Sequence, residues 1–230
     1  MGIIENKVSV NIPFTDIFKR FFKEIGNGKI EVYNEFSLQH ELGIYLRKEL
    51  LKYGKFKVQF EKNSLEILKY KESYSQEKLK KRFGNKKIRK KEIDIVIFQE
   101  ETEGVKNLIT SIELKYPRNG QVPESMYSFI KDIRFLEGLT KRGDHNENYF
   151  EEGYFICLVD DLLFYEVKSK KEGIYKYFRN ENYQVKIQKT TRKPTGVNKK
   201  LSDFNIELDK EYNEKWEPVE NERKYLIIEV

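Results

Sequence analysis

The sequence predicts an α/β fold in which a mixed central sheet is flanked by helices. Two observations predict it. Apolar residues recur at helical spacing in three long stretches, and shorter runs between and after these stretches alternate apolar and polar residues as strands do. Helices and strands interleaved in this way are typical of a sheet that is covered by helices.

The helical stretches are bounded by residues that start or stop helices. The first lies at about residues 14–24 and ends before Gly26. The second follows Ser37, which is a suitable N-cap, and runs to about residue 53. The third runs from Pro123 to about residue 142. A shorter helix is expected within the charged segment at 75–83.

The strand-like segments are short and rich in β-branched and aromatic residues. They lie at residues 55–60, 91–98, 111–116, 154–159, 162–167, 174–178 and 224–230. A polar turn near residues 100–106 joins the second segment to the third, so we expect these two to pair as a β-hairpin.

Composition excludes several classes of protein. With 38% hydrophobic and 14% aromatic residues, the chain has too many core-forming side chains to be disordered. Its apolar runs are too short to cross a membrane and its N-terminus lacks a secretory signal pattern, so we expect a cytoplasmic protein without a membrane partner. Its single cysteine, Cys157, forms no intramolecular disulfide, and with two histidines in the chain a Cys/His zinc site is excluded.

Positive charge is concentrated in two segments of a chain whose formal net charge is +6. Residues 62–91 contain twelve Lys or Arg and three Glu, and residues 186–200 contain six Lys or Arg and no acid. Such segments bind phosphates, but they also occur as the solvated surface of a lysine-rich protein, and composition leaves both interpretations open.

The two strands of the expected hairpin carry charged residues among apolar ones. Asp94 lies in the first strand, and Glu113 and Lys115 lie two residues apart, hence on one face, of the second. Pairing brings the three to one end of the sheet. Two carboxylates beside an ammonium suit a hard divalent metal ion, an activated water and a phosphate. The alternative is a surface ion pair between Asp94 and Lys115, but acids in a largely buried strand are expensive without a role.

Four residues carry a resemblance to a known family: Glu41 on the second predicted helix, Asp94 in Glu-Ile-Asp-Ile-Val-Ile, and Glu113 and Lys115 in Ile-Glu-Leu-Lys. The chain resembles the PD-(D/E)xK nuclease superfamily, which has the restriction-endonuclease-like fold, over about residues 35–166. Ile93 stands where the family has a Pro. Residues 112–161 also resemble a bacterial restriction-type endonuclease group.

The resemblance implies a role for each residue of the motif. Asp94 and Glu113 would ligate Mg²⁺, for which Mn²⁺ substitutes, together with waters and the backbone carbonyl of Leu114. Lys115 would orient or deprotonate the attacking water, or stabilise the charge on the phosphate. The chemistry agrees with the residues, because Mg²⁺ needs one or two carboxylates and keeps several waters.

Two carboxylates compete for the position on the second helix. The resemblance favours Glu41, which would complete the metal site directly or through a water. Glu35 is the alternative, because helices commonly carry Glu at several positions.

The implied protein is a single nuclease-like domain over residues 1–230. Its core would lie at about 35–166, with the basic segment inserted at 62–91 and a C-terminal extension at 181–230. It would hydrolyse phosphodiester bonds, first of all in double-stranded DNA, with RNA as the other substrate class. If it is of the restriction type, a homodimer would place two sites on opposite strands.

Candidate contacts to nucleic acid lie in the basic segment and in the loop after the second hairpin strand. They are Lys86, Lys87, Arg89, Lys90, Arg118 and Gln121. The loop is equally well explained as a simple strand-to-helix turn. The alternative to an enzyme is a non-catalytic protein on the same fold that binds nucleic acid or a protein partner, although the intact set of Asp, Glu and Lys favours the enzyme.

Overall fold

The structure, a computed structural model, describes residues 11–69, 77, 91–102, 105–118, 122–140, 149–167, 172–192 and 205–230. Its helices are α1 (Phe14–Gly26), α2 (Glu35–Leu50), α3 (Ser64–Leu68), α4 (Val122–Thr140) and α5 (Tyr175–Phe178). Its strands are β1 (Lys57–Asn63), β2 (Glu92–Thr102), β3 (Val105–Lys115), β4 (Glu152–Val159), β5 (Gln184–Ile187), β6 (Thr190–Arg192), β7 (Asn205–Glu207), β8 (Tyr212–Lys215), β9 (Glu217–Glu220) and β10 (Arg223–Glu229). Among the described residues, no helix is both long enough and apolar enough to cross a membrane.

Six strands form the central sheet, in the order β1-β2-β3-β4-β10-β9. Strands β3 and β4 are parallel, with α4 as the crossover between them, and the other neighbours are antiparallel. Two small sheets, β5-β8 and β6-β7, accompany it. The predicted α/β class, with a mixed central sheet flanked by helices, is therefore confirmed.

Helices cover both faces of the central sheet. Helices α1 and α2 pack on the face that includes the apolar side chains of Ile95, Ile97, Ile112, Leu114 and Ile156. Helix α4 packs on the opposite face against Phe155, Cys157, Val159, Leu226 and Ile228. Because side chains alternate along a strand, the residues of β3 between its apolar positions face α4. This places Glu113 and Lys115 between the sheet and α4.

The register of the β2-β3 hairpin places Asp94 and Glu113 side by side on neighbouring strands. Ile95 pairs with Ile112, and one residue beyond this pair on the two strands lie Asp94 and Glu113. The predicted antiparallel pairing of these strands is confirmed. Both strands extend beyond the predicted segments, to residues 102 and 105, so the connection is shorter than expected.

Two predicted strands, at 162–167 and 174–178, are wrong. The first forms a 3₁₀ turn and the second forms α5. Phe164 and Phe178 both pack on Phe129 of α4. Their ring centroids lie 5.9 and 5.7 Å, respectively, from that of Phe129. Aromatic residues favour strands on average, but here packing against a helix decides the backbone conformation.

The C-terminal segment completes the central sheet. Strand β10 pairs antiparallel with β4 over six residues, from Lys224 opposite Val159 to Glu229 opposite Tyr154. Its Leu226 is fully buried. The predicted C-terminal extension at 181–230 therefore supplies an interior strand of the central sheet, the fifth of six.

Candidate functional site

Asp94 lies half-buried near the start of β2 and is held at both its backbone and its side chain. The Leu114 N–H donates to Asp94 Oδ2 at 2.6 Å, and the Gln39 side chain of α2 donates to the Asp94 carbonyl at 2.8 Å. Burial raises the pKa of Asp94 to about 6, although the Leu114 hydrogen bond and nearby Lys115 act in the opposite direction. A carboxyl with a raised pKa beside other charges is typical of functional sites.

Glu113 is buried in β3, and its two oxygens have different surroundings. Lys91 Nζ lies 2.6 Å from Oε2. Oε1 is buried and has no hydrogen-bond partner among the described residues. Burial raises the pKa of Glu113 well above its usual value, and Asp132 and Asp94 raise it further, while Lys91 only partly offsets this. The free oxygen is one that a bound cation would satisfy.

The ammonium of Lys115 lies among oxygens. It donates to the Leu114 carbonyl at 2.8 Å and lies 3.3 Å from Asp132 Oδ2 and 3.6 Å from Glu35 Oε1. Burial lowers the pKa of Lys115, but the attraction of Asp132, Glu35 and the two hairpin carboxylates outweighs burial and raises it overall. Lys115 is therefore protonated at neutral pH. The carbonyl of Leu114, predicted to be a metal ligand, accepts a hydrogen bond from this ammonium.

Two further residues of the site, Lys91 and Asp132, were missed by sequence reasoning. Lys91 immediately precedes β2 and pairs with Asp132 Oδ1 at 2.9 Å as well as with Glu113. Asp132 is buried on α4, three residues after Phe129 and four before Leu136, so it lies on the apolar stripe of that helix. A carboxylate on the buried side of a helix is the signal that could have identified it.

The structure brings Glu35, rather than Glu41, to the site. Glu35 Oε2 accepts a hydrogen bond from the Tyr116 N–H at 3.0 Å, and Oε1 pairs with Lys115. Glu41 Oε1 lies 3.7 Å from Nδ1 of its neighbour His40. The choice of Glu41 over Glu35 from the sequence is thus not supported by the contacts of α2.

The cap of α2 explains why Glu35 reaches the site. The predicted N-cap, Ser37, is wrong. Asn34 is the N-cap, and its side chain accepts from the Ser37 N–H at 2.8 Å while the Ser37 hydroxyl accepts from the Asn34 N–H at 3.0 Å. This reciprocal capping box starts the helix three residues earlier than predicted and puts Glu35 in its first turn, pointing to the end of β3.

The predicted nucleic-acid contacts are largely not described by the structure. Gln121 and the basic residues Lys86, Lys87, Arg89 and Lys90 lie outside the described residues. Arg118 is half-exposed, donates to the Tyr33 carbonyl and lies 3.8 Å from Asp160 Oδ2. These contacts join the residues after β3 to the segment before α2 and to the end of β4.

The carboxylates of the cluster outnumber its ammonium groups, which favours the binding of a cation. Four carboxylates, those of Glu35, Asp94, Glu113 and Asp132, surround two ammonium groups, so the cluster carries excess negative charge when all are ionised. In the described part of the chain, no three His, Cys, Asp or Glu side chains are arranged to hold a metal ion together. Mg²⁺ nevertheless fits the pair of Asp94 and Glu113, because it binds through one or two carboxylates and keeps its waters.

No family model, curated protein or solved structure matches this chain. Function is therefore argued from the geometry and chemistry of the site.

Proposed function

We propose that this protein is a Mg²⁺-dependent endonuclease of the PD-(D/E)xK type that hydrolyses phosphodiester bonds in double-stranded DNA. The observation that carries the proposal is the meeting of Asp94, Glu113 and Lys115 at one end of the β2-β3 hairpin, where the buried Glu113 Oε1 has no hydrogen-bond partner in the described part of the chain. Such an arrangement is expensive in a purely structural role, because it keeps unbalanced carboxylates out of water.

Each residue of the cluster has a task in this reaction. Asp94 and Glu113 would hold the ion through their carboxylates, and both must be ionised to do so. A bound Mg²⁺ supplies a water of lowered pKa and neutralises charge on the phosphate. The hydrogen bond from the Leu114 N–H fixes the Asp94 carboxylate before any ion arrives, so little reorganisation is needed.

Lys115 acts through its charge in this account. Because its pKa is raised by the surrounding carboxylates, it carries a proton at neutral pH and does not serve as the base in the metal-free molecule. A protonated amine stabilises the negative charge that develops on the phosphate. Glu35 and Asp132 hold this amine from two sides, at 3.6 and 3.3 Å.

Two observations support DNA as the substrate. The formal net charge is +6, and the basic segment at residues 62–91 directly precedes the strand that carries Asp94. Apart from the short α3 between β1 and β2, the order α2, β1, β2, β3, α4 and β4 agrees with the family that the sequence resembles, in which a helix precedes three strands, a helix and a further strand. The homodimer of a restriction-type enzyme is part of the same proposal.

The proposal is tested by incubating supercoiled plasmid with the protein and Mg²⁺ or Mn²⁺. We expect nicked and linear products that disappear when the metal is chelated. Asp94→Asn, Glu113→Gln and Lys115→Met should each lower the rate by roughly 100-fold or more. Glu211→Gln, which changes an exposed carboxylate just before β8 and outside both basic segments, is the matched control and should cleave normally.

The second candidate is a non-catalytic protein of the same fold that binds nucleic acid or a protein partner. The observation that favours it is the ion pairing of both lysines of the cluster with carboxylates, which balances part of the charge without a metal. Binding of DNA in the absence of metal, with no cleavage of DNA or RNA in its presence, would establish this alternative.

A further inference from the structure

The side chain and the backbone of Lys91 are both fixed. Its Nζ lies 2.6 Å from Glu113 Oε2, 2.9 Å from Asp132 Oδ1 and 4.9 Å from the centre of the Phe135 ring. Its backbone carbonyl accepts hydrogen bonds from the N–H and the hydroxyl of Ser64, at 3.0 and 2.9 Å. The ammonium is thus held between two buried carboxylates.

The charge of Lys91 partly compensates these two carboxylates in the metal-free molecule. Glu113 and Asp132 are both buried, and a buried carboxylate without a counter-charge strongly destabilises a fold. Lys115 approaches Asp132 from the other side, but among the described residues Lys91 is the amine that contacts Glu113.

We infer that Lys91 is an internal counter-cation that sets how tightly the site binds a divalent metal ion. Its single positive charge is shared between Glu113 and Asp132 when no ion is bound, and it opposes an ion that arrives at Glu113 Oε1. Two positive charges at one carboxylate repel each other, and the repulsion is strong where water is largely excluded. This inference rests on the proposed function, because it takes Glu113 as a metal ligand.

Asp132 acts in the opposite direction. Its Oδ1 shares the Lys91 ammonium with Glu113. Without the Asp132 charge, Lys91 would pair with Glu113 alone and compete more strongly with a metal ion. Removing the charge of Lys91 should therefore tighten metal binding, whereas removing the charge of Asp132 should weaken it.

Isothermal titration of the full chain with Mn²⁺, without DNA, tests the inference. Lys91→Met keeps most of the aliphatic stem and removes the ammonium, and we expect Mn²⁺ to bind about tenfold tighter or more. Lys91→Arg keeps the charge and should bind within about threefold of the wild type, whereas Asp132→Asn should bind more weakly. Lys131→Met removes a charge of the same sign from an exposed position next to Asp132 and is the matched control for long-range electrostatics.

The outcomes separate this inference from the proposed function. Tighter binding by Lys91→Met, or binding by this variant when the wild type shows none, supports it. Equal or weaker binding by a folded Lys91→Met overturns it and leaves the metal site of the proposed function standing. Absence of Mn²⁺ binding in both proteins overturns both. Lys91→Gln replaces Lys91→Met if circular dichroism shows that the latter does not fold.

Discussion

Asp94 combines a position in the proposed site with a cost in stability. Its pKa is about 6 in the folded protein and 3.8 in a freely solvated side chain, chiefly because of burial. The folded protein therefore binds the proton more tightly than the unfolded chain. The contribution of Asp94 to stability is therefore greatest below about pH 4, falls as the pH rises towards 6, and stays lowered at neutral pH. The ionised carboxylate destabilises the metal-free molecule, as expected for a group with the proposed role in metal binding.

We predict that Asp94→Asn is more stable than the wild type at neutral pH without divalent ions. The amide oxygen still accepts from the Leu114 N–H, while the charge is lost, so the free energy of unfolding should rise by about 1–3 kcal/mol. Urea denaturation in the presence of a chelator measures it. The difference should shrink as the pH falls below 6. A variant that is less stable than the wild type at neutral pH would show that this charge is compensated within the fold. Glu92→Gln, which removes an exposed acid two residues away, is the control.

The residues of the site differ in how far the sequence revealed them. Asp94, Glu113 and Lys115 could be predicted because two strands of alternating residues, once paired, have few registers that bury their apolar faces. Asp132 joins the site only through the docking of α4 on the sheet, which no local pattern specifies. Lys91 contacts Glu113 from the position just before β2, at the end of a run of basic residues in which no local pattern distinguishes it. The position of Glu35 depends on the N-cap of α2. Because the N-cap is Asn34 and not Ser37, Glu35 lies in the first turn of the helix and reaches Lys115.

At the scale of an element, the capping box of α2 stabilises the helix and positions Glu35. We predict that Asn34→Ala lowers the free energy of unfolding by about 1 kcal/mol, because the Ser37 N–H loses its acceptor. Chemical denaturation measures this change, with the exposed Asn213→Ala on β8 as the control. An unchanged stability would mean that water replaces the cap without loss.

Helices and strands were predicted correctly where apolar residues recur at a regular spacing. They were predicted wrongly where tertiary contacts determine the backbone conformation. The hairpin strands and the long helices follow the spacing of apolar residues. The segments at 162–167 and 174–178 are aromatic-rich and strand-like in composition. They fold as a 3₁₀ turn and a helix because Asp161 accepts from the Leu163 N–H at 2.8 Å and two aromatic residues pack on Phe129. Such contacts cannot be inferred from a short sequence window.

At the scale of the whole molecule, the C-terminal segment supplies part of the central sheet and of its core. Strand β10 lies between β4 and β9, and its Leu226 and Ile228 join the core beneath α4. A core that ended near residue 166 would leave one edge of β4 unpaired and these contacts unmade. Strand β10 could not be assigned to the core from the sequence, because separation along the chain gives no measure of distance in the fold.

We therefore predict that a chain ending at residue 204 does not unfold cooperatively. Removal of β7 to β10 exposes the edge of β4 and uncovers fully buried residues, among them Phe155 and Phe178. Thermal unfolding followed by circular dichroism should show a broad transition in place of a sharp one. A sharp transition near that of the full chain would show that residues 1–204 contain an independent core.

The central claim is that the acidic end of the β2-β3 hairpin is a site for a divalent metal ion. Anomalous diffraction from crystals soaked in Mn²⁺ tests it most directly, because the peak locates the ion without reference to activity. We predict a peak within coordination distance, about 2–2.3 Å, of one carboxylate oxygen of Asp94 and one of Glu113. A peak elsewhere, or no peak between these two side chains at a Mn²⁺ concentration that supports cleavage, would contradict the claim.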